Sequence, residues 1–159
     1  NSSGNTGCLT DDRNVDYCTV YPWPVDAYGS LFGLQMANLH NQSNPLYQTY
    51  SPTCGTQTDI GGYIAVSPEF PSGLPAGVIA ASICTKLTSG KATTCDQSTL
   101  ILGSALAGKS SAVKRHSLCH EIGHIVGLTH GSTYGGCMTS GLLTLTTYSG
   151  HHVTHLNTY

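Results

Sequence analysis

Four side chains within the segment 120–130 have the types and spacing of a metal-dependent hydrolytic site. His120, Glu121 and His124 form an H-E-x-x-H pattern, and His130 follows six residues later. On a helix, His120 and His124 are one turn apart on one face, so their imidazoles can bind one Zn²⁺ at about 2.0–2.1 Å. Glu121 lies about 100° around the same turn. Its carboxylate can therefore act as a catalytic base on a metal-bound water without binding the metal itself.

Gly127 gives the pattern further meaning, because a continuing helix would carry position 130 away from the metal. A glycine at a helix end permits a left-handed conformation, so the chain can turn sharply and return His130 as a third ligand. Three protein ligands leave the fourth zinc position to water, which is typical of catalytic sites, whereas structural sites have four protein ligands. The sequence therefore predicts metal ligands at His120, His124 and His130 and a catalytic base at Glu121.

Other histidines are interpreted differently. His116 is one turn before His120 and is expected to be exposed or hydrogen-bonded, not a ligand. Near the C-terminus, His151 and His155 have i,i+4 spacing and could form a secondary metal site. The favoured interpretation is the polar face of a C-terminal helix, with Val153 and Leu156 packing inward.

Composition limits the class of protein. Charged residues are 9% of the 159 residues and the formal net charge is −2, so nothing indicates binding to nucleic acid or to an anionic membrane surface. No apolar run approaches the roughly 20 residues of a membrane span. The chain begins at Asn1, and we expect that a signal peptide or pro-segment has been removed. A secreted, monomeric protein fits these features best.

Seven cysteines without C-x-x-C spacing favour disulfides in an oxidising compartment. Cys84 and Cys95 flank a turn-rich segment and form one plausible pair, and Cys119 and Cys137, which bracket the histidine motif, form another. For the rest, Cys8 with Cys18 and Cys18 with Cys54 remain alternatives, and the odd count leaves one thiol unpaired or bonded to another molecule.

The remaining patterns place the motif within one α+β domain. Residues 1–14 are expected to be loop, and residues 28–39 carry a moderate helix signal. A helix capped by Ser110-Ser111 should run to about Val126, burying an apolar stripe that includes Leu118 and Ile122. The strand candidates are Val15–Tyr21, Ile60–Val66, Val78–Cys84 and Thr99–Leu102.

The segment 120–138 resembles the metzincin clan of zinc endopeptidases, whose signature is H-E-x-x-H-x-x-G-x-x-H followed by a Met-turn. Met138, eight residues after His130, matches the Met-turn as in matrixin-like members, where the methionine lies beneath the metal. The small size is similar to that of snapalysin-like enzymes, although those have Asp as third ligand. Some relatives have a tyrosine donor two residues after the methionine; Ser140 stands there, which leaves Tyr134 and Tyr148 as loose candidates.

This resemblance implies an α+β metzincin-like fold: a small, twisted, mostly parallel sheet, a long active-site helix and a short, loop-rich C-terminal subdomain. One domain would span 1–159, with an upper part of about 1–127 and a lower part of about 128–159. The expected activity is that of a secreted Zn²⁺ endopeptidase acting on an extended protein or peptide, held along an edge strand at Val78–Cys84. Two alternatives remain: a zinc hydrolase of a non-protein amide or cell-wall peptide, and a secreted binding module with a vestigial site.

Overall fold

A computed structural model describes residues 9–20, 28–65, 78–131 and 135–158. Its strands are β1 (Leu9–Thr10), β2 (Asn14–Thr19), β3 (Tyr47–Tyr50), β4 (Ile60–Ala65), β5 (Ala80–Leu87) and β6 (Thr94–Gly103). Its helices are α1 (Ser30–Gln42), α2 (Ser111–Ile125) and α3 (Gly150–Leu156), with a short 3₁₀ turn at Ser104–Leu106.

The strands form one mixed sheet in the order β1-β6-β4-β2-β3, with β5 also paired to β6. Each pair along the main path is parallel, whereas β5 runs antiparallel to β6. In that antiparallel pair, Ala80 lies opposite Leu102 and Ser82 opposite Leu100. No other strand in the described ranges pairs with β5, so β5 is an edge strand. The predicted mixture of helices with a mostly parallel sheet is confirmed.

The hydrophobic core joins the sheet to the two long helices. Phe32 and Met36 on α1, which are one turn apart, are fully buried, as are Leu118 and Ile122 on α2. Leu100 of β6 belongs to the same core cluster. This confirms the predicted apolar stripe of α2. Helical periodicity places His120 and His124 on a different face of α2 from this stripe.

The predicted elements differ from the observed ones mainly where the pattern is short or polar. The expected loop 1–14 contains β1, a two-residue strand that pairs with Thr94 and Cys95. Strand β3 was not predicted, because its tyrosines Tyr47 and Tyr50 are exposed and it lacks an apolar face. Strand β6 begins earlier than the predicted Thr99, because pairing with neighbours on both sides holds its polar first half in the sheet.

Three disulfides link these elements. Cys84–Cys95 joins β5 to β6, and Cys119–Cys137 joins α2 to the segment that carries Met138, as predicted. The third pair is Cys18–Cys54, which decides between the two alternatives for Cys18. Its Cα atoms are 5.4 Å apart because the parallel pairing of β2 with β3 places Tyr50 and Ser51 beside Tyr17, a few residues before Cys54. Cys8 lies outside the described residues.

The described helices are shorter than a membrane-spanning helix, which needs about 20 residues. The longest, α2, has 15 residues, and within the described ranges no helix combines the length and apolar character needed to cross a membrane.

Candidate metal centre

Helix α2 presents the predicted motif between two well-defined ends. At its start, the Ser110 side chain accepts a hydrogen bond from the backbone N–H of Val113 at 3.4 Å. At its end, Leu128 N donates to Gly123 O at 2.8 Å and Gly127 N to His124 O at 3.1 Å, with Gly127 at φ 84°. These two bonds and the left-handed glycine form a Schellman motif. The predicted role of Gly127 in turning the chain after α2 is therefore confirmed.

This turn brings three imidazoles together. The Nε2 atoms of His120, His124 and His130 are each 3.1 Å from the other two. Tetrahedral zinc ligands at about 2.0–2.1 Å from the ion would be about 3.3–3.4 Å from one another. The observed separations are close to that value, so these residues fit a zinc ion. Within the described ranges, one group of three or more His, Cys, Asp or Glu side chains could hold a metal ion, and it consists of these three histidines.

The other ring nitrogens fix how two of these imidazoles are oriented. His120 Nδ1 lies 2.9 Å from Cys137 O, and His124 Nδ1 lies 2.8 Å from Leu128 O. A carbonyl oxygen only accepts, so each Nδ1 carries the proton and each Nε2 presents its lone pair toward the shared centre. Burial, reinforced by neighbouring His124, lowers the pKa of His120 to about 4, and burial also lowers the pKa of His124. Both rings are therefore held in the neutral form that binds metals.

Glu121 is buried beside the histidines and has one described partner from another element. Its side chain is 8% exposed, and Oε2 accepts a hydrogen bond from Ser82 Oγ of strand β5 at 3.0 Å. Burial raises the pKa of Glu121 to about 7, although hydrogen bonds from the Ser82 side chain and backbone oppose this rise. Sequence reasoning missed Ser82, because a serine within a strand carries no local signal of a partner 39 residues away.

Met138 packs against α2 between the two helical histidines. Its side chain is fully buried, and a Cβ placed on Gly123 would overlap its sulfur and lie 3.0 Å from Tyr148 Cε1. The Met138 carbonyl also accepts from Gly131 N at 3.2 Å, next to His130. The absence of a side chain at Gly123 therefore lets the Met138 segment approach the histidine motif closely.

Two further side chains tie the C-terminal segment to α2. The Tyr148 hydroxyl donates to Cys119 O at 3.0 Å, and burial raises its pKa. The hydroxyl of Tyr148, one of the two loose candidates for a donor, is thus engaged with the backbone of α2. His116 is 1% exposed, with Nδ1 2.7 Å from Leu145 O and Nε2 3.1 Å from Thr139 O. His116 is thus buried and hydrogen-bonded. Of the two states expected for it, exposed or hydrogen-bonded, the structure has the second.

The remaining tyrosine candidate has no described position. Tyr134 lies outside the described residues, and Ser140, at the position where some relatives have a tyrosine, is exposed at the end of the Met138 turn. No transition-state donor is therefore assigned among the described side chains.

Comparison with known proteins gives a likeness in structure only. No protein-family model matches the sequence, and no curated protein sequence does either. One solved structure that resembles the chain, titled "Structure of myroilysin", has a TM-score of 0.49 at 13% sequence identity. The match covers 77% of this chain and 52% of that one, so the chain spans about half the length of this structural neighbour.

Proposed function

We propose that this chain is a zinc-dependent endopeptidase of the metzincin type, with His120, His124 and His130 as metal ligands and Glu121 as the catalytic base. The observation that carries the proposal is the convergence of three Nε2 atoms, 3.1 Å apart, one residue from a buried carboxyl group. Three protein ligands leave a position open for water, as a catalytic site requires.

The chain's own groups suit the chemistry of peptide hydrolysis. When bound, Zn²⁺ would supply a Lewis acid that polarises the scissile carbonyl and acidifies a water molecule. Glu121 takes the proton of the attacking water and later delivers it to the leaving amine. A pKa of about 7 suits a group that must accept and then donate a proton near neutral pH. Ser82 orients the Glu121 carboxylate by donating to Oε2.

Strand β5 is the proposed binding site for an extended peptide substrate. It is an edge strand, and Ser82, its third residue, contacts the proposed catalytic base Glu121. An extended peptide can add to such an edge through backbone hydrogen bonds, which bind many sequences alike. The substrate chain would then run beside Glu121. The proposed substrate site is thus the segment Val78–Cys84, which overlaps the first half of β5.

The surroundings support secretion as part of the same proposal. Disulfides persist in oxidising compartments, and the described part of the chain has three. We further propose that the enzyme acts as a monomer and has neither nucleic acid nor membrane as a partner. A zinc hydrolase of non-protein amides would use the same histidines and base, so only the substrates that are cleaved can distinguish it from a peptidase. A binding module with a vestigial site would bind zinc without hydrolysing anything.

The test replaces the base while keeping its shape. In Glu121→Gln, zinc content should remain near one equivalent, while hydrolysis of a casein-type substrate should fall by about 10²–10⁴-fold, the usual contribution of general acid–base catalysis. Asp12→Asn, an equal change of acid to amide at an exposed site, is the matched control and should keep full activity. A chelator should abolish wild-type activity, and added zinc should restore it. Parental activity in Glu121→Gln would refute the mechanism, and zinc binding without hydrolysis by the wild type would favour the vestigial module.

A further inference from the structure

Helix α3 carries a second pair of histidines whose arrangement reproduces that of the ligand pair on α2. His151 and His155 are one helical turn apart, with ring centroids 4.7 Å apart and ring planes at 78°. His120 and His124 have the same sequence spacing, the same 4.7 Å between centroids and an angle of 87°. The geometry that brings two imidazoles together on α2 thus recurs on α3.

This second pair faces a cavity outside the candidate metal centre. The cavity has a volume of about 290 Å³ and is lined by Leu9, residues 126–129, His151, His152, His155 and Thr158. None of His120, Glu121, His124 and His130 lines it. His151 and His155 are both exposed, so an ion from solvent can reach them.

The third histidine of this helix has a different role. His152 is 4% exposed, its Nδ1 lies 2.9 Å from Ser149 Oγ, and it forms a hydrogen bond with the backbone of Thr129. It therefore anchors α3 to the turn that precedes His130. Because the His152 ring is buried and engaged in these bonds, it is not counted with the exposed pair His151 and His155.

We propose that His151 and His155 form a second transition-metal site with two protein ligands and with water in the remaining positions. Imidazole is a ligand for zinc, copper and nickel, and paired imidazoles one helical turn apart act as a chelate. Two protein ligands bind more weakly than three, so this site fills after the triad. The site lies against residues 126–129, the turn between the second and third histidines of the triad. It goes beyond the proposed peptidase activity and does not depend on it.

The experiment is a Zn²⁺ titration of the whole protein. Binding is measured by calorimetry and by the NMR signals of the imidazole rings. We expect two equivalents in the wild type, the second one weaker and accompanied by shifts of the His151 and His155 ring signals. Loss of a direct ligand should weaken binding at least as much as loss of a ligand's hydrogen-bond partner, which costs about 10–100-fold. His151→Gln and His155→Gln should each show that weakening of the second equivalent. His40→Gln, which removes an exposed imidazole elsewhere, should leave both equivalents intact.

Two results would overturn the proposal: a single equivalent in the wild type that both glutamine variants retain, or two equivalents in the wild type that both variants retain unweakened. Both replaced side chains are exposed, so the variants should fold, and unchanged far-UV circular dichroism verifies this. Failure of the triad gives a different outcome. In that case the wild type would bind one equivalent, and the His151 and His155 variants would remove it.

Discussion

The contact between Gly123 and Met138 gives a quantitative prediction for Gly123→Ala. On an open helix surface this change would stabilise the protein by about 1 kcal/mol, because alanine loses less backbone entropy than glycine. At Gly123 the new methyl group would overlap the Met138 sulfur and approach Tyr148 Cε1 to 3.0 Å. Both neighbours are buried, at 0% and 5% exposure, so neither can move into solvent.

The steric cost decides the sign of the effect. Overpacking a buried site typically costs about 1–3 kcal/mol, and overlap with two buried side chains places this site near the upper end. After subtraction of the helix term, we expect a net loss of about 2 kcal/mol. For a chain of this length that corresponds to a melting temperature lower by about 4–8 °C. The assay is thermal and urea unfolding at a fixed zinc concentration, because bound metal itself stabilises the folded state.

Two further variants isolate the cause. Gly150→Ala is the matched control, since Gly150 lies in α3 with nothing within 4 Å of a new Cβ, and it should be neutral or slightly stabilising. Met138→Ala alone should cost about 2–5 kcal/mol through the cavity it leaves. In the double variant the new methyl group occupies part of that cavity, so the loss should be at least about 1 kcal/mol smaller than the sum of the single losses. If Gly123→Ala were as stable as Gly150→Ala, the close packing of Met138 on α2 would be refuted.

Two other predictions concern Ser82 and Asp59. Ser82→Ala removes the hydroxyl that donates to Glu121 Oε2. We expect kcat to fall about 10–150-fold, the equivalent of roughly 1.5–3 kcal/mol for a hydrogen bond to a charged group, with little change in KM. Burial, against a hydrogen bond from the Asp16 backbone, raises the pKa of Asp59 from 3.8 to about 7. A raised carboxyl pKa means that the folded state binds the proton more tightly than the unfolded state. The associated stability is therefore complete below about pH 4 and is lost as the pH rises to about 7. Because Asp59 is partly exposed, solvent screening reduces this loss of stability to about 1 kcal/mol. Asp59→Asn should abolish the loss. The check is urea unfolding at pH 4.5 and pH 8, because the Asp59 carboxyl titrates between about pH 4 and pH 7.

Each of these predictions has its own control. Ser82→Thr keeps the hydroxyl and should retain most of the activity, so an equal fall in kcat for both Ser82 variants would contradict the proposed hydrogen bond. Asp12→Asn changes an exposed carboxylate near Asp59 and should leave the decline in stability with pH in place. If Asp59→Asn and the wild type lost the same stability between the two pH values, another group would be responsible.

The histidine motif was predictable from sequence because its information is local. The i,i+4 spacing on a helix determines which side chains share a face, and a glycine after the helix determines where the chain can turn. The positions of α2, the Ser110 cap and the left-handed Gly127 follow from these rules, and each is observed. The Cys119–Cys137 disulfide was predicted from its position around the motif and is also present.

Contacts between distant segments depended on the tertiary structure. The partner of Cys18 was undecidable from spacing, since both candidates fit, until the pairing of β2 with β3 brought Cys54 close. Ser82 became a partner of Glu121 because β5 adds to the edge of the sheet beside α2. The burial of His116 depends on two carbonyls, at Thr139 and Leu145, contributed by the loop after Met138.

The sequence by itself thus determined which residues could bind a metal and which carboxylate could act as base, because residue type and helical periodicity are properties of one short segment. The tertiary structure alone decided how those residues are surrounded: the 3.1 Å convergence of the three Nε2 atoms, the buried state of Glu121 and the packing of Met138 on Gly123. The physical reason is that burial and long-range contacts arise from the way the sheet and helices pack together, and no local pattern encodes that arrangement.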